Sequence, residues 1–181
     1  MSAEKSTSDA KLFRALQLVN EWLKFGEAKN GVLVTLNGAA VVGMHNVVKQ
    51  YGTLEQPWSV WLWWATICCL VSLVIGISSF YAKTKVAGIL FSNTTPGGTS
   101  AIYFGHLADT TKADLVKRLS PDADGSDLDY LEDMASQVII NARLARRKMA
   151  LFNLALMVTI TGVLTPAGAG LYYWRFCDDA V

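Results

Sequence analysis

The chain has 181 residues, 52% of them hydrophobic and 17% charged, with a formal net charge of +1 at pH 7. That near-neutral balance argues against a nucleic-acid-binding surface. Three cysteines and two histidines offer neither a disulfide framework nor zinc-ligand spacing.

The first thirty residues are charged throughout and lack the continuous apolar core of a secretory signal. Within them Leu12, Leu16, Val19 and Leu23 recur at helical spacing, flanked by Phe13 and Trp22. This predicts an amphipathic helix from about Asp9 to Asn30, capped by Ser8 or Asp9, whose stripe packs against another helix. No proline precedes Pro57, so the helix can run unbroken into residues 31–48, an uncharged stretch just long enough to span a bilayer. A buried helix lying against the membrane surface is the alternative for 31–48. Gly31, Thr35, Ala39 and Gly43 recur there every four residues, a small-residue stripe suited to close approach of a neighbouring span or another subunit. Asn37, His45 and Asn46 are polar at membrane depth, a pattern expected for hydrogen bonds between helices.

Residues 58–82 form a 25-residue stretch without a charge, opened by Trp58, Trp61, Trp63 and Trp64. A helix of that length reaches roughly 37 Å and crosses a bilayer core of about 30 Å with some tilt. Residues 149–174 are a second such stretch. Of the 16 Lys and Arg residues, five precede Gly31, one (Lys49) lies before Trp58, nine lie between Lys83 and Lys148, and one, Arg175, follows. Three spans place the N-terminus and 83–148 in the cytoplasm and the C-terminus outside, whereas two spans would put the two basic segments on opposite faces. The aromatic clusters at 58–64 and 172–174 then meet the same outer interface. The expected fold is therefore all-α, an integral membrane protein with three transmembrane helices, N-in and C-out. The expected organisation is a cytoplasmic amphipathic helix at 1–30, spans at 31–48, 58–82 and 149–174, and a cytoplasmic helical region at 83–148.

In that region 91–100 reads as a loop broken at Pro96, Gly97 and Gly98. Thr111 is positioned to cap a short helix over 112–119, with Asp114 three residues on. The stretch 120–126 is an acidic loop. From Asp127 a helix runs without a break into the third span, loosened at its outer end by Pro166 and three glycines. A helix shared between cytoplasm and bilayer can carry a rotation or tilt from one to the other.

Arg143, Arg146, Arg147 and Lys148 precede the third span. They read either as a positive-inside anchor on anionic headgroups or as a phosphate site, with Arg143 and Arg147 on one helical face. Asp133, Gln137 and Asn141 form a polar stripe that either reads the edge of a base or faces water. Tyr103, Phe104 and His106 beside a Gly-rich loop could stack on a nucleobase, although an Ile-Tyr-Phe run is more often core. Asp122, Asp124, Asp127 and Asp129 resemble an acidic calcium loop without the closing Glu, so no metal site is expected. No nucleophile-base-orienter set is readable, and the chain does not read as an enzyme.

Four blocks carry a family resemblance: Trp22-Leu-Lys-Phe-Gly-Glu-Ala-Lys-Asn30 leading into Thr35-Leu-Asn-Gly38, then Tyr103-Phe-Gly-His-Leu-Ala108, then Asp133-Met-Ala-Ser-Gln-Val-Ile-Ile-Asn141, and Arg146-Arg-Lys148. In order and spacing around the spans the chain resembles the transmembrane Pycsar effector family. The resemblance implies a multi-pass protein of the bacterial inner membrane, and an anti-phage effector. A partner cyclase makes a cyclic pyrimidine mononucleotide, cCMP or cUMP, and the effector responds by impairing the membrane and halting the cell. The chain carries no cyclic-nucleotide-binding barrel. The resemblance therefore assigns ligand contact to the 83–148 region, at Tyr103, Phe104, His106, Gln137, Asn141 and Arg147. The expected partners are the lipid bilayer, the nucleotide and further copies of the chain. The competing reading is a small oligomeric helical membrane scaffold or channel subunit without a nucleotide ligand.

Overall fold

A computed structural model describes residues 2–51, 58–80, 100, 103–121 and 126–176. Residues 91–99 of the loop expected at 91–100, residues Ala101 and Ile102, the acidic Asp122 and Asp124, and Cys177 lie outside the described residues. Five helices make up the fold: α1 (Ser2–Tyr51), α2 (Trp58–Ser78), α3 (Phe104–Leu107), α4 (Lys112–Leu119) and α5 (Ser126–Phe176). No strand occurs among the described residues. Three of the helices are long and apolar enough to cross a membrane, those containing Ala10–Gln50, Trp58–Ser78 and Leu128–Tyr172.

α1 begins at Ser2, upstream of the expected cap, so Ser8 and Asp9 lie inside the helix. Ala3, Glu4 and Lys5 are good helix formers, and no Gly or Pro interrupts propagation there. α2 stops at Ser78, short of the full uncharged run. The Ser78 hydroxyl donates to the Ile75 carbonyl at 2.7 Å, a local bond that competes with the next helical turn. At 21 residues α2 still reaches about 31 Å. α4 is held at its start by a two-way cap. The Thr111 hydroxyl accepts from the Asp114 amide at 3.2 Å and donates to the Asp114 carboxylate at 2.7 Å.

α5 continues through Pro166. Proline offers no N–H to the carbonyl four residues back, here that of Gly162. The nearby hydroxyls of Thr161 and Thr165 donate to the carbonyls of Met157 and Thr161, at 2.9 and 2.7 Å.

The chain divides into two compact units, one of Met1–Ala28 with Ala82–Ala150 and one of Lys29–Tyr81 with Leu151–Val181. Both long helices contribute a segment to each. The first unit has a conventional apolar core, with Leu12 and Val19 of α1, Leu107 of α3, Leu115 of α4 and Val138 of α5 essentially inaccessible. The stripe on α1 thus packs against other helices, with Leu16 and Leu23 at its margin and Phe13 outside it. Asn141 on α5 donates to Asn20 on α1 at 2.9 Å, and Lys148 pairs with Glu27. Both pairs advance together along the chain, so α1 and α5 are parallel in this unit.

The second unit is inverted in polarity. Asn30, Asn37 and Ser72 are fully buried and Ser79 and Thr159 nearly so, while Val32, Trp63, Val74 and Met157 are about two-thirds exposed, at 64–67%. Buried polar groups under an apolar exterior are the arrangement a hydrocarbon solvent selects. Asn30 pairs with Ser79 and Asn37 with Ser72, so α1 and α2 run antiparallel.

Close packing in this unit is made by glycines other than those of the expected stripe. A Cβ on Gly162 would stand 2.5 Å from the Cys68 side chain, and one on Gly76 would stand 2.7 Å from Val34. Gly31 and Gly43 meet nothing within 4 Å, and Thr35 and Ala39 are exposed. The face of α1 that turns inward carries Asn30, Leu33 and Asn37 instead, because the amides find partners there.

Candidate functional site

The expected ligand residues Tyr103, Phe104 and His106 sit on and beside the single turn of α3. Phe104, Leu107 and Ala108 are buried in the core of the first unit and anchor that turn. α5 grips it from the other side, with Arg143 Nε donating to the Ala108 carbonyl at 2.9 Å and Arg146 pairing with Asp109 at 2.7 Å. The Thr110 hydroxyl donates to the His106 carbonyl at 2.9 Å.

Above the anchored turn the rings form a cluster. Tyr103 lies 4.8 Å from Phe104 and 5.1 Å from His106, the latter edge to face. Trp22 of α1 lies 5.4 Å from Phe104. Gly105 permits this fold, since a Cβ there would stand 2.5 Å from the Tyr103 ring. Tyr103 is 45% exposed. His106 Nδ1 is buried and has no hydrogen-bond partner among the described residues. The turn therefore combines a partly exposed aromatic side chain, able to stack on a flat ring, with a buried imidazole nitrogen that has no partner among the described residues.

The other expected residues are placed elsewhere in the same unit. Asn141 is half-buried and donates to Asn20. Gln137 is exposed and lines an open groove of about 330 Å³ with Leu16, Tyr130, Asp133, Met134 and Ser136. Asp133 and Gln137 of the polar stripe thus line that groove, while Asn141 is engaged by α1. Arg147 is half-buried. Ten residues separate it from Gln137, about 15 Å along the helix axis. The six residues accordingly divide between the α3 turn, the α1-facing side of α5, and the basic end of α5.

Three of the four residues of the basic cluster make contacts within their own unit. Arg143 holds a carbonyl, Arg146 meets Asp109, and Lys148 meets Glu27. The sequence placed Trp22 at the flank of the amphipathic stripe and in a resemblance block but not beside the α3 turn, and it did not single out Tyr130. It also flagged Asn37 in the membrane without its partners. Asn30 with Asn37, and Ser72 with Ser79, each recur at an interval of seven, and that spacing was the available signal.

In the second unit Asn37 donates to Ser72 Oγ at 2.9 Å, and the Thr159 hydroxyl lies 2.8 Å from Ser72 Oγ and 3.1 Å from Asn37 Oδ1. Asn30 donates to Ser79 Oγ at 2.9 Å. All three candidate spans meet at the Asn37 level.

Apolar spans with their polar groups turned inward, in one chain with a helical unit built on a conventional core, define an all-helical membrane protein. Residues 11–174 match the Pycsar effector protein domain, and the chain belongs to that family. Membership gives it the role of an anti-phage effector, working in a membrane context on a signal made by a partner cyclase. The family is one of effectors and not a known enzyme class. No curated protein and no solved structure matches the chain.

Proposed function

We propose that the protein responds to a cyclic pyrimidine mononucleotide, cCMP or cUMP, by impairing the bacterial inner membrane, and that it does so as a homo-oligomer. In this reading the N-terminus and 83–148 face the cytoplasm and the C-terminus faces outward, as the distribution of basic residues favours. The nucleotide base stacks on Tyr103 and hydrogen-bonds at His106, while Phe104 fixes the turn from below. Gln137 with its groove, Asn141 and Arg147 are the remaining proposed contacts, on α5 of the same unit.

The observation that carries the reading is the sharing of α1 and α5 between the two units. Each is a single helix, of 50 and 51 residues, with one segment beside the aromatic–histidine turn and another among the apolar spans. A ligand that prefers one arrangement of the first unit can therefore bias the spans, by as much as its differential affinity for the two arrangements.

The test is gradient collapse in liposomes containing the purified protein, with cCMP, cUMP, cAMP and cGMP added separately. One pyrimidine cyclic nucleotide should collapse an imposed ion gradient. Tyr103→Ala should raise the concentration needed at least tenfold while leaving the helical signal unchanged. Liposomes that stay tight under every addition would remove the nucleotide response and favour a ligand-free scaffold.

A further inference from the structure

The second unit carries a row of hydrogen-bonded polar groups between its apolar helices. Asn30, Asn37 and Met44 lie seven residues apart on one face of α1, and each meets a hydroxyl. Asn30 pairs with Ser79, Asn37 with Ser72 and Thr159, and the Thr66 hydroxyl lies 3.2 Å from Met44 Sδ. Successive levels are about 10 Å apart, so together they extend about 21 Å of the roughly 30 Å hydrocarbon thickness. Between the levels lie the buried Leu33 and Cys69. At the Met44 level the row borders a half-open, mainly apolar groove of about 210 Å³ on the outer face of α1 and α2, lined by Met44, His45, Leu62, Trp63 and Thr66 among others.

In the closed arrangement the amides and hydroxyls partner one another. Hydrogen bonds of this kind hold helices together, and that role accounts for the pairs as observed. A second consequence follows from the solvent. If the helices part by the width of a water molecule, the groups lose these partners, and hydrocarbon supplies none. Water then enters as the replacement partner. Hydroxyls both donate and accept, and the Asn oxygens accept, so a hydrated row can relay protons or coordinate small cations.

We infer that this row is the permeation path of the activated protein. Protons and small cations pass along a single file of waters between α1, α2 and α5 of one chain. Leu33 and Cys69 form the dry layers that close the path by excluding water. The inference rests on the membrane-impairing function proposed above and assigns it a route.

Two variants test it in proteoliposomes carrying a pH gradient and a large self-quenching dye. Asn37→Leu with Thr159→Val keeps the number of side-chain heavy atoms and leaves Ser72 as the sole polar side chain of the central level. It should slow nucleotide-triggered proton flux at least tenfold while nucleotide still raises the melting temperature in detergent. Leu33→Asn should give proton flux with no nucleotide present. The dye should stay inside throughout. Equal flux from wild type and the double variant, or escape of the dye, overturns the row as the path. If wild type is silent under every nucleotide, the nucleotide reading fails, and Leu33→Asn still decides the inference: flux supports the row and silence overturns it. Should the double variant not fold, Leu33→Asn decides in the same way.

Discussion

Arg143 and Asp109 separate two kinds of polar contact on the α3 turn. Arg143 Nε bonds the carbonyl of Ala108, a residue almost wholly inaccessible. Its loss leaves that acceptor unsatisfied, at a cost of about 1–3 kcal/mol. The ion pair of Arg146 with Asp109 is partly exposed on both sides, at 30% and 54%, and such pairs contribute under about 1 kcal/mol. Arg143→Ala should therefore lower the melting temperature clearly more than Asp109→Asn, as followed by circular dichroism in detergent. Equal losses would show that the carbonyl contact carries no special weight. Gly105→Ala brings a Cβ within 2.5 Å of the Tyr103 ring and should displace that ring, seen as loss of the Tyr103 nuclear Overhauser contacts to His106. The Tyr103–His106 group was legible in the sequence because its members share one turn. Trp22 and the Ala108 carbonyl were not legible as parts of it. Their approach depends on how α1 and α5 pack against that turn.

At the level of elements, the apolar runs and the short capped helix followed from local rules. Thr111 and Asp114 satisfy each other across three residues, which a sequence displays directly. The inward face of the first span did not follow. Its four-residue stripe of small side chains is a general packing signal, yet Gly76 and Gly162 make the close approaches instead. Gly162→Val should introduce a clash with Cys68 and cost about 1–3 kcal/mol of stability. Cys68→Gly in the same chain should recover part of that loss if the two side chains meet as described. Additive losses in the double variant would place the strain elsewhere. The N-terminal turns of α1 illustrate a weaker rule. Ser8 and Asp9 are good caps, but a cap residue marks a helix start only where the preceding residues do not themselves propagate the helix.

For the whole molecule, the membrane assignment stands on polarity inversion in the second unit, and the orientation stands on basic-residue asymmetry. Orientation can be measured with Ala113→Cys on α4, an exposed position outside the spans, in a chain with Cys177→Ser. A membrane-impermeant maleimide should label it only after spheroplasts are permeabilised. Labelling in intact spheroplasts would reverse the proposed topology and move the proposed nucleotide site out of the cyclase's compartment.

The sequence by itself determined that this protein is helical and that three of its segments can cross a bilayer. Both properties depend on composition and length within a continuous stretch. It also carried the blocks by which the chain is recognised as a Pycsar effector. Tertiary structure alone decided which side of each span faces inward, which hydroxyl meets which amide, and that the basic end of α5 binds its own unit. Those outcomes depend on register between helices whose contacting residues are 35 to 122 positions apart, and a local pattern does not contain the relative rotation of two helices.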